Sequence, residues 1–275
     1  MSPLLVVIVL AAVVCAFCWV ASLISHDNSW VDRLWSIVPV AYVWVFAITA
    51  GLSDIRLDVM AGLVTLWGAR LTFNFARKGG YTGHEDYRWP VLRARMSTRQ
   101  FAIFNLLFIV IYQNTILVLI TLPAFTAFEH RTPFGALDVI LAVVFLALLA
   151  GETVADQQQW QFHLAKAATV AAGGEPQPRF LQHGLFRFSR HPNFFFEQAQ
   201  WWTLFLFGAV AAGSVLQWTV LGAALLTLLF VGSTRFTESI TLSKYPEYAD
   251  YQATTSAVIP WPPRRATREV PASQG

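Results

Sequence analysis

The chain has 275 residues, of which 56% are hydrophobic and only 13% charged, with a formal net charge of +3 and a mean hydropathy of +0.51. An ordinary soluble globular domain has about a quarter of its residues charged, so this composition excludes that class and indicates a polytopic membrane protein. We therefore predict one transmembrane domain over residues 1–263 and a disordered tail over 264–275.

Apolar windows of membrane-spanning length recur along the chain. A helix needs about 20 largely apolar residues to cross the hydrocarbon core. Seven such windows predict an all-α polytopic fold with about seven transmembrane helices: roughly 3–25, 34–52, 58–77, 101–123, 135–156, 194–212 and 215–233. The first lacks a positively charged leader and a clear cleavage site, so we expect a retained helix rather than a signal peptide. Cys15 and Cys18 lie within it without a second cysteine pair, and we expect them to be structural.

The basic residues predict the orientation. Sixteen of the 19 Lys and Arg residues fall in the loops after helices 1, 3 and 5 or in the tail, if Arg77 at the end of helix 3 is counted with its loop; the exceptions are Arg56, Arg70 and Arg131. By the positive-inside rule the N-terminus is outside and the C-terminus cytoplasmic. The net charge then reflects topology and contact with anionic membrane lipids, and no nucleic-acid partner is expected.

Two long loops, 78–100 and 157–193, carry most of the polar residues on the predicted cytoplasmic side. The second begins as a continuation of helix 5 and breaks at Gly-Gly-Glu-Pro, 173–176. The tail predicts a further helix from Arg235, ended by the proline-rich segment 259–263. The chemistry is therefore expected on this side.

Polar residues inside the predicted spans are functional candidates, because an ionisable group at mid-helix costs about 2.5–3.5 kcal/mol on insertion scales. Helix packing through one arginine–carboxylate pair explains one acid, but three acids exceed one arginine, which favours a ligand cavity. The set is Arg70, Asn74, Gln113, Asn114, Glu152, Asp156 and Glu197.

The segment from 184 to 202, GLFRFSRHPNFFFEQAQWW, combines cations with an acid at a membrane entry. Arg190 and His191 precede Pro192, which suits the first turn of a helix. Free N–H groups at that helix start would attract a phosphate or carboxylate. Asn193 and Glu197 are one turn apart and add hydrogen-bonding capacity. Contact of the arginines with lipid headgroups is the alternative, but it explains neither Asn193 nor Glu197.

Other common sites are not indicated. The sequence has no G-x-G-x-x-G after a strand and no P-loop, so a nucleotide would be held without a Rossmann domain. The consecutive residues His84, Glu85 and Asp86 do not converge on one ion, so we expect no metal. No serine or cysteine nucleophile pattern emerges.

The same motifs resemble those of a known family. The segment 184–202, with Asp156 before it and Glu238, Tyr248, Tyr251 and Ile259-Pro260-Trp261 after it, resembles the steroid 5-alpha-reductase superfamily. The chain is similar to a bacterial branch in its DNSWVDRLW, W-G-x-R-L and G-x-E-D-Y-R-W segments. The resemblance covers about residues 27–261.

The resemblance implies a membrane reductase in a bacterial inner membrane, with its active site facing the cytoplasm. It would transfer hydride from NADPH to the carbon–carbon double bond of a lipophilic enone. Asp32 would activate the substrate ketone, and Trp67 stands where the family has a second activating residue, a tyrosine. The implied cofactor-binding residues are Arg70, Asp156, His163, Arg190, His191, Asn193, Glu197, Glu238 and Tyr248.

Two alternatives remain open. Isoprenylcysteine carboxyl and phospholipid methyltransferases share the Arg190-His191-Pro192 corner and use S-adenosylmethionine, whose carboxylate and amine would meet the corner and Glu197. Asn193, which those enzymes usually lack, favours the reductase. A lipid-binding or assembly protein that retains the fold is the other alternative. Substrate and oligomeric state are left open by the sequence.

Overall fold

The structure, a computed structural model, describes residues 1–83 and 85–264, and every regular element within them is helical. A π-helical stretch spans Asn105–Tyr112 and a 3-10 turn spans Gly184–Arg187. The α-helices of the described residues are α1 (Pro3–Ser25), α2 (Trp30–Leu34), α3 (Val38–Thr49), α4 (Ile55–Arg77), α5 (Arg88–Ala94), α6 (Thr98–Phe104), α7 (Gln113–Leu119), α8 (Leu122–Glu129), α9 (Ala136–Ala171), α10 (Pro192–Ala212), α11 (Val220–Lys244) and α12 (Tyr248–Thr254).

The predicted all-α membrane fold is confirmed. Six helical segments among the described residues are long and apolar enough to cross a bilayer: Pro3–Ser25, Trp30–Thr49, Ile55–Arg77, Thr98–Glu129, Ala136–Ala171 and Val220–Lys244. Only 11% of the most apolar window of α1 is buried, as expected for a helix that faces lipid. The protein is therefore an integral membrane protein.

The seventh predicted span, 194–212, forms α10, which has 21 residues. It is not among the six because Glu197, Gln198 and Gln200 lower its hydropathy. A membrane-crossing role for α10 stays a prediction, as does the orientation of the chain. The predicted start of this helix at Pro192 is confirmed.

By internal contacts the chain divides into two units. Unit 1 contains residues 1–149 and 198–229. Its helices approach closely at glycines, as is common in membrane bundles where small residues let backbones meet. A Cβ at Gly68 would lie 2.5 Å from the carbonyl oxygen of Ser36, and one at Gly222 would lie 2.3 Å from that of Leu119.

A buried ion pair joins the start of α4 to the start of α9 within unit 1. The Arg56 guanidinium donates to both Asp138 oxygens, at 2.6 and 2.9 Å, and to the carbonyl oxygens of Thr132 and Pro133, both at 3.0 Å. The side chains of Arg56 and Asp138 are 2% and 1% exposed. Arg56, an exception to the predicted charge asymmetry, is thus a buried, neutralised cation and not an exposed loop charge.

Unit 2 contains residues 150–197 and the described part of the segment from 230 onward. The predicted extension of the fifth span is confirmed, because α9 continues to Ala171 and is followed by Gly173 with φ +77°. The predicted tail helix is wrong as one continuous element. It begins within α11, breaks around Pro246 and resumes as α12, since proline cannot donate the helical hydrogen bond.

Candidate functional site

Asp32, the predicted substrate-activating acid, lies in the short helix α2 of unit 1. Its Oδ2 accepts a hydrogen bond from Trp89 Nε1 at 3.1 Å, and its Oδ1 lies 3.7 Å from Arg88. Burial by itself would lower the pKa of Arg88, but the neighbouring Asp32 and Asp86 carboxylates outweigh it and raise that pKa. The Asp32 carboxylate therefore already has partners inside unit 1.

The loop before α2 and the loop after α4 bind each other around this acid. The backbone N–H of Asn28 donates to Glu85 Oε1 at 3.0 Å, and that of Asp86 donates to Ser29 Oγ at 2.8 Å. Arg93 donates to Glu85 at 2.6 Å. Glu85 and Asp86 thus have structural partners, and His84, considered with them as a metal ligand, lies outside the described residues.

Asp27 closes the same network. It accepts hydrogen bonds from the backbone N–H of Ser29 at 2.9 Å and from Arg33 at 2.5 Å. Burial alone would raise the pKa of Asp27, but these hydrogen bonds and the Arg33 charge lower it. Arg33 also donates to the carbonyl oxygen of Gly80 at 3.1 Å. Loops distant in sequence are therefore joined at this end of unit 1.

Trp67 and Arg70 lie less than one turn apart on α4. Trp67 is fully buried, and its ring meets that of Trp201 edge-on with the centroids 4.8 Å apart.

Cys15 and Cys18 are free thiols of the same unit, and Cys18 packs in an apolar cluster with Val31.

Glu238 is the centre of a charged cluster in unit 2. Its Oε1 and Oε2 accept from Arg190 Nε at 2.6 Å and from Arg190 Nη2 at 3.0 Å. His191 Nε2 lies 3.0 Å from Oε1, and Gln252 Nε2 donates to Oε2 at 2.8 Å. The Tyr248 hydroxyl is 3.4 Å from Oε1. The predicted residues Arg190, His191, Glu238 and Tyr248 are thus brought together, and they bind one another.

Arg190 uses its remaining hydrogen bonds on the backbone. Its Nη1 donates to the carbonyl oxygens of Gln252, at 3.1 Å, and of Thr255. Burial acts to lower the pKa of Arg190, but the Glu238 carboxylate outweighs it and raises the pKa. The main role of this arginine in the structure is therefore to join the 190–193 corner to the C-terminal segment.

Backbone and hydroxyl contacts complete that junction. Ser189 Oγ donates to the carbonyl oxygen of Val258 at 2.7 Å, and the Trp261 N–H donates to the carbonyl oxygen of Phe188 at 2.9 Å. The Tyr251 hydroxyl donates to the carbonyl oxygen of Phe186. The predicted motif around Tyr248, Tyr251 and Trp261 thus fixes the segment that leads into α10.

Beyond this cluster, α9 and α10 carry the other predicted cofactor residues of unit 2. Asp156 and Glu197 are 4% and 6% exposed, whereas His163 lies exposed on the extension of α9. Asn193 and Glu197 are four residues apart on α10 and share a face. The Asn193 amide is half-buried and forms no hydrogen bond to another described side chain or backbone group.

An open groove of about 470 Å³ lies in unit 2 between α9 and the 176–183 segment. Lys166 and His183 line it, together with Gln158. Lys166 already donates to the carbonyl oxygen of Arg179 at 2.6 Å and to the Tyr245 hydroxyl at 3.1 Å. Tyr245 is partly exposed, and the hydrogen bond from Lys166 lowers the pKa of its hydroxyl.

Sequence reasoning missed several partners. Gln252, which binds Glu238, is an ordinary glutamine in a tail helix, and no local pattern distinguishes it. Trp89 and Arg88 bind Asp32, although the loop that contains them was part of the resemblance. Trp201 could have been singled out from the sequence, because it belongs to the aromatic run of the segment 184–202.

Comparison with known proteins adds the family. Residues 18–255 match the model of a family described as a protein of unknown function (DUF1295). The chain belongs to this family. It is a steroid 5-alpha-reductase-like group, so the predicted resemblance is confirmed at that level.

A similar protein from Schizosaccharomyces pombe, described as uncharacterized, is 38% identical over 276 residues, which cover 94% of this chain and 80% of that protein. No solved structure matches the chain.

Proposed function

We propose that the protein is an NADPH-dependent membrane reductase that transfers hydride to the activated carbon–carbon double bond of a lipophilic enone. The observation that carries the proposal is the pair Asn193 and Glu197 at the start of α10, in a chain of a steroid 5-alpha-reductase-like family. The proposed location is a bacterial inner membrane, with the site facing the cytoplasm and the substrate drawn from the lipid.

The side chains of unit 2 fit such a cofactor. The Asn193 amide can both donate and accept, as the carboxamide of a nicotinamide does. Buried carboxylates at Asp156 and Glu197 accept hydrogen bonds, which suits ribose hydroxyl groups. Arg187 is exposed and forms no ion pair among the described residues, so its cation can meet a phosphate.

The bound cofactor would supply the hydride, and the chain would position the reacting groups. Asn193 and Glu197 would hold the nicotinamide end, and the Arg190–Glu238 pair would keep the corner before them fixed. Charge then develops on the substrate carbonyl oxygen and needs a hydrogen-bond donor. Because Asp32 is already engaged by Trp89 and Arg88, we favour another donor for this step.

The methyltransferase alternative needs the 190–191 corner to receive a carboxylate. Most Arg190 N–H groups are already used by Glu238 and by the carbonyl oxygens of Gln252 and Thr255. His191 also contacts Glu238. This disfavours S-adenosylmethionine as the ligand of that corner.

The decisive experiment is thermal unfolding of the detergent-purified protein with NADPH, NADH or S-adenosylmethionine. A ligand at 100 times its dissociation constant stabilises the fold by about 2.7 kcal/mol. We expect a shift with NADPH that Asn193→Ala and Glu197→Gln both reduce. The control Glu247→Gln changes an acid with a 45% exposed side chain in the same unit and should retain the shift. Stabilisation by S-adenosylmethionine alone would refute the reductase.

A further inference from the structure

Three hydrogen-bond donors in unit 1 are buried without an acceptor among the described residues. They are the Tyr42 hydroxyl, Trp67 Nε1 and Trp201 Nε1. The three residues are 1%, 0% and 2% exposed. Buried polar atoms nearly always find a partner, because burial removes their hydrogen bonds to water and an unsatisfied group loses that stabilisation without replacement. Three such donors in one unit therefore require an explanation.

The donors lie at one level of the bundle. Ser36 Oγ and Thr72 Oγ1 are 2.7 Å apart, and Trp44 Nε1 donates to Thr65 Oγ1 at 2.8 Å. These two contacts tie the antiparallel pair formed by the 36–49 segment and α4. Tyr42 and Trp67 fall between them, so they are at the same height along the pair.

Trp201 extends the group from a third helix, because its ring is packed edge-on against Trp67 at 4.8 Å. Tyr42 and Trp67 both belong to segments of membrane-spanning length and composition. Their neighbours along the chain include Val43, Phe46 and Val64, all fully buried. Tyr42 and Trp67 therefore lie in apolar surroundings within segments that are long and apolar enough to span a bilayer, and Trp201 packs against Trp67.

The chemistry of the three groups defines the ligand. A phenol and two indoles are uncharged donors, and indole cannot accept a hydrogen bond. A carbonyl oxygen has two lone pairs and needs no countercharge, so it suits such donors within an apolar bundle. Donors aimed at an oxygen on which charge develops also stabilise an enolate, as an oxyanion hole does.

We propose that Tyr42, Trp67 and Trp201 form the site that binds the carbonyl oxygen of a lipophilic ketone. This inference rests on the proposed function, in which an enone is the substrate, and it assigns the residues that activate it. Asp32 then acts in the loop network and not on the ketone.

The test is ligand binding without NADPH. The probes are 2-cyclohexenone with a dodecyl chain and the matched dodecylcyclohexene, which lacks the oxygen, titrated by isothermal calorimetry into protein in detergent. We expect the wild type to bind the enone at least tenfold more tightly than the alkene. Tyr42→Phe removes only the hydroxyl and should reduce that preference about tenfold while leaving the melting temperature unchanged or higher.

Trp44→Phe is the matched control, because it removes an indole whose N–H is satisfied by Thr65 in the same helix pair. It should lower the melting temperature and leave the preference for the enone intact. Trp67→Phe and Trp201→Phe should each reduce the preference, and their melts report any packing loss separately.

Two results would overturn the carbonyl site: equal binding of enone and alkene by the wild type, or a Tyr42→Phe variant that keeps the full preference. The NADPH melt separates this failure from failure of the proposed function. If the protein prefers the enone but NADPH does not shift its melt, the proposed reductase is refuted and the carbonyl site stands. If NADPH shifts the melt but the enone is not preferred, only the carbonyl site is refuted.

Discussion

Replacing Glu238 with glutamine should release the C-terminal segment of unit 2. The side chain keeps its size but loses the charge that pairs with Arg190 and changes the hydrogen-bond partner of His191, and the Arg190 and Glu238 side chains are only 10% and 9% exposed. Breaking a buried pair by removing one partner costs about 3–5 kcal/mol. Because the introduced amide could still accept some hydrogen bonds, we expect the lower end, about 3 kcal/mol.

That loss corresponds to a fall in melting temperature on the order of 10 °C. The assay is thermal unfolding in detergent together with limited trypsin digestion, since release of the segment would unwind the backbone around Lys244, whose side chain is already exposed at the end of α11. The control is Glu247→Gln, in which a 45% exposed carboxylate 3.6 Å from Arg179 is lost, at a cost of about 1 kcal/mol or less. If both variants melt and digest alike, the Arg190–Glu238 cluster is not what holds the segment.

Other contacts of the structure give three further predictions. Arg56→Met should lower the free energy of unfolding by about 3–5 kcal/mol, because it leaves Asp138 buried and unpaired. The double variant Arg56→Met with Asp138→Leu should recover most of that stability, and equal melting temperatures for the two variants would contradict this. Gly184→Ala should lower the melting temperature more than Gly173→Ala, since both have positive φ but only at Gly184 does a Cβ meet a side chain, 2.5 Å from Gln158; equal losses would show that the contact is harmless. Because the pKa of Asp27 is lowered in the folded state, its carboxylate contributes fully to folding stability at neutral pH, above its unfolded pKa, and this contribution is lost as pH falls through the acid range. Asp27→Asn should therefore lower the melting temperature at pH 7 but change it little at pH 3. A difference in melting temperature from the wild type that persists at pH 3 would refute this.

Local patterns in the sequence determine the helices of this protein and where several of them begin or end. Apolar runs of bilayer length specify the six spans, because lipid requires every backbone group to be satisfied within a helix. Pro192 specifies the start of α10, and the glycines at 173–174 follow the end of α9. The motif from Arg190 to Glu197 could also be recognised as a candidate site from the sequence.

The tertiary structure alone decided which polar groups pair. Arg190 binds Glu238 from 48 positions away, and Arg56 binds Asp138 from 82 positions away. No periodicity specifies such partners, because the choice depends on which helix ends meet when the chain packs. For the same reason Tyr42, an unremarked tyrosine in an apolar run, is identified as a candidate ligand group only once burial shows that its hydroxyl lacks an acceptor among the described residues.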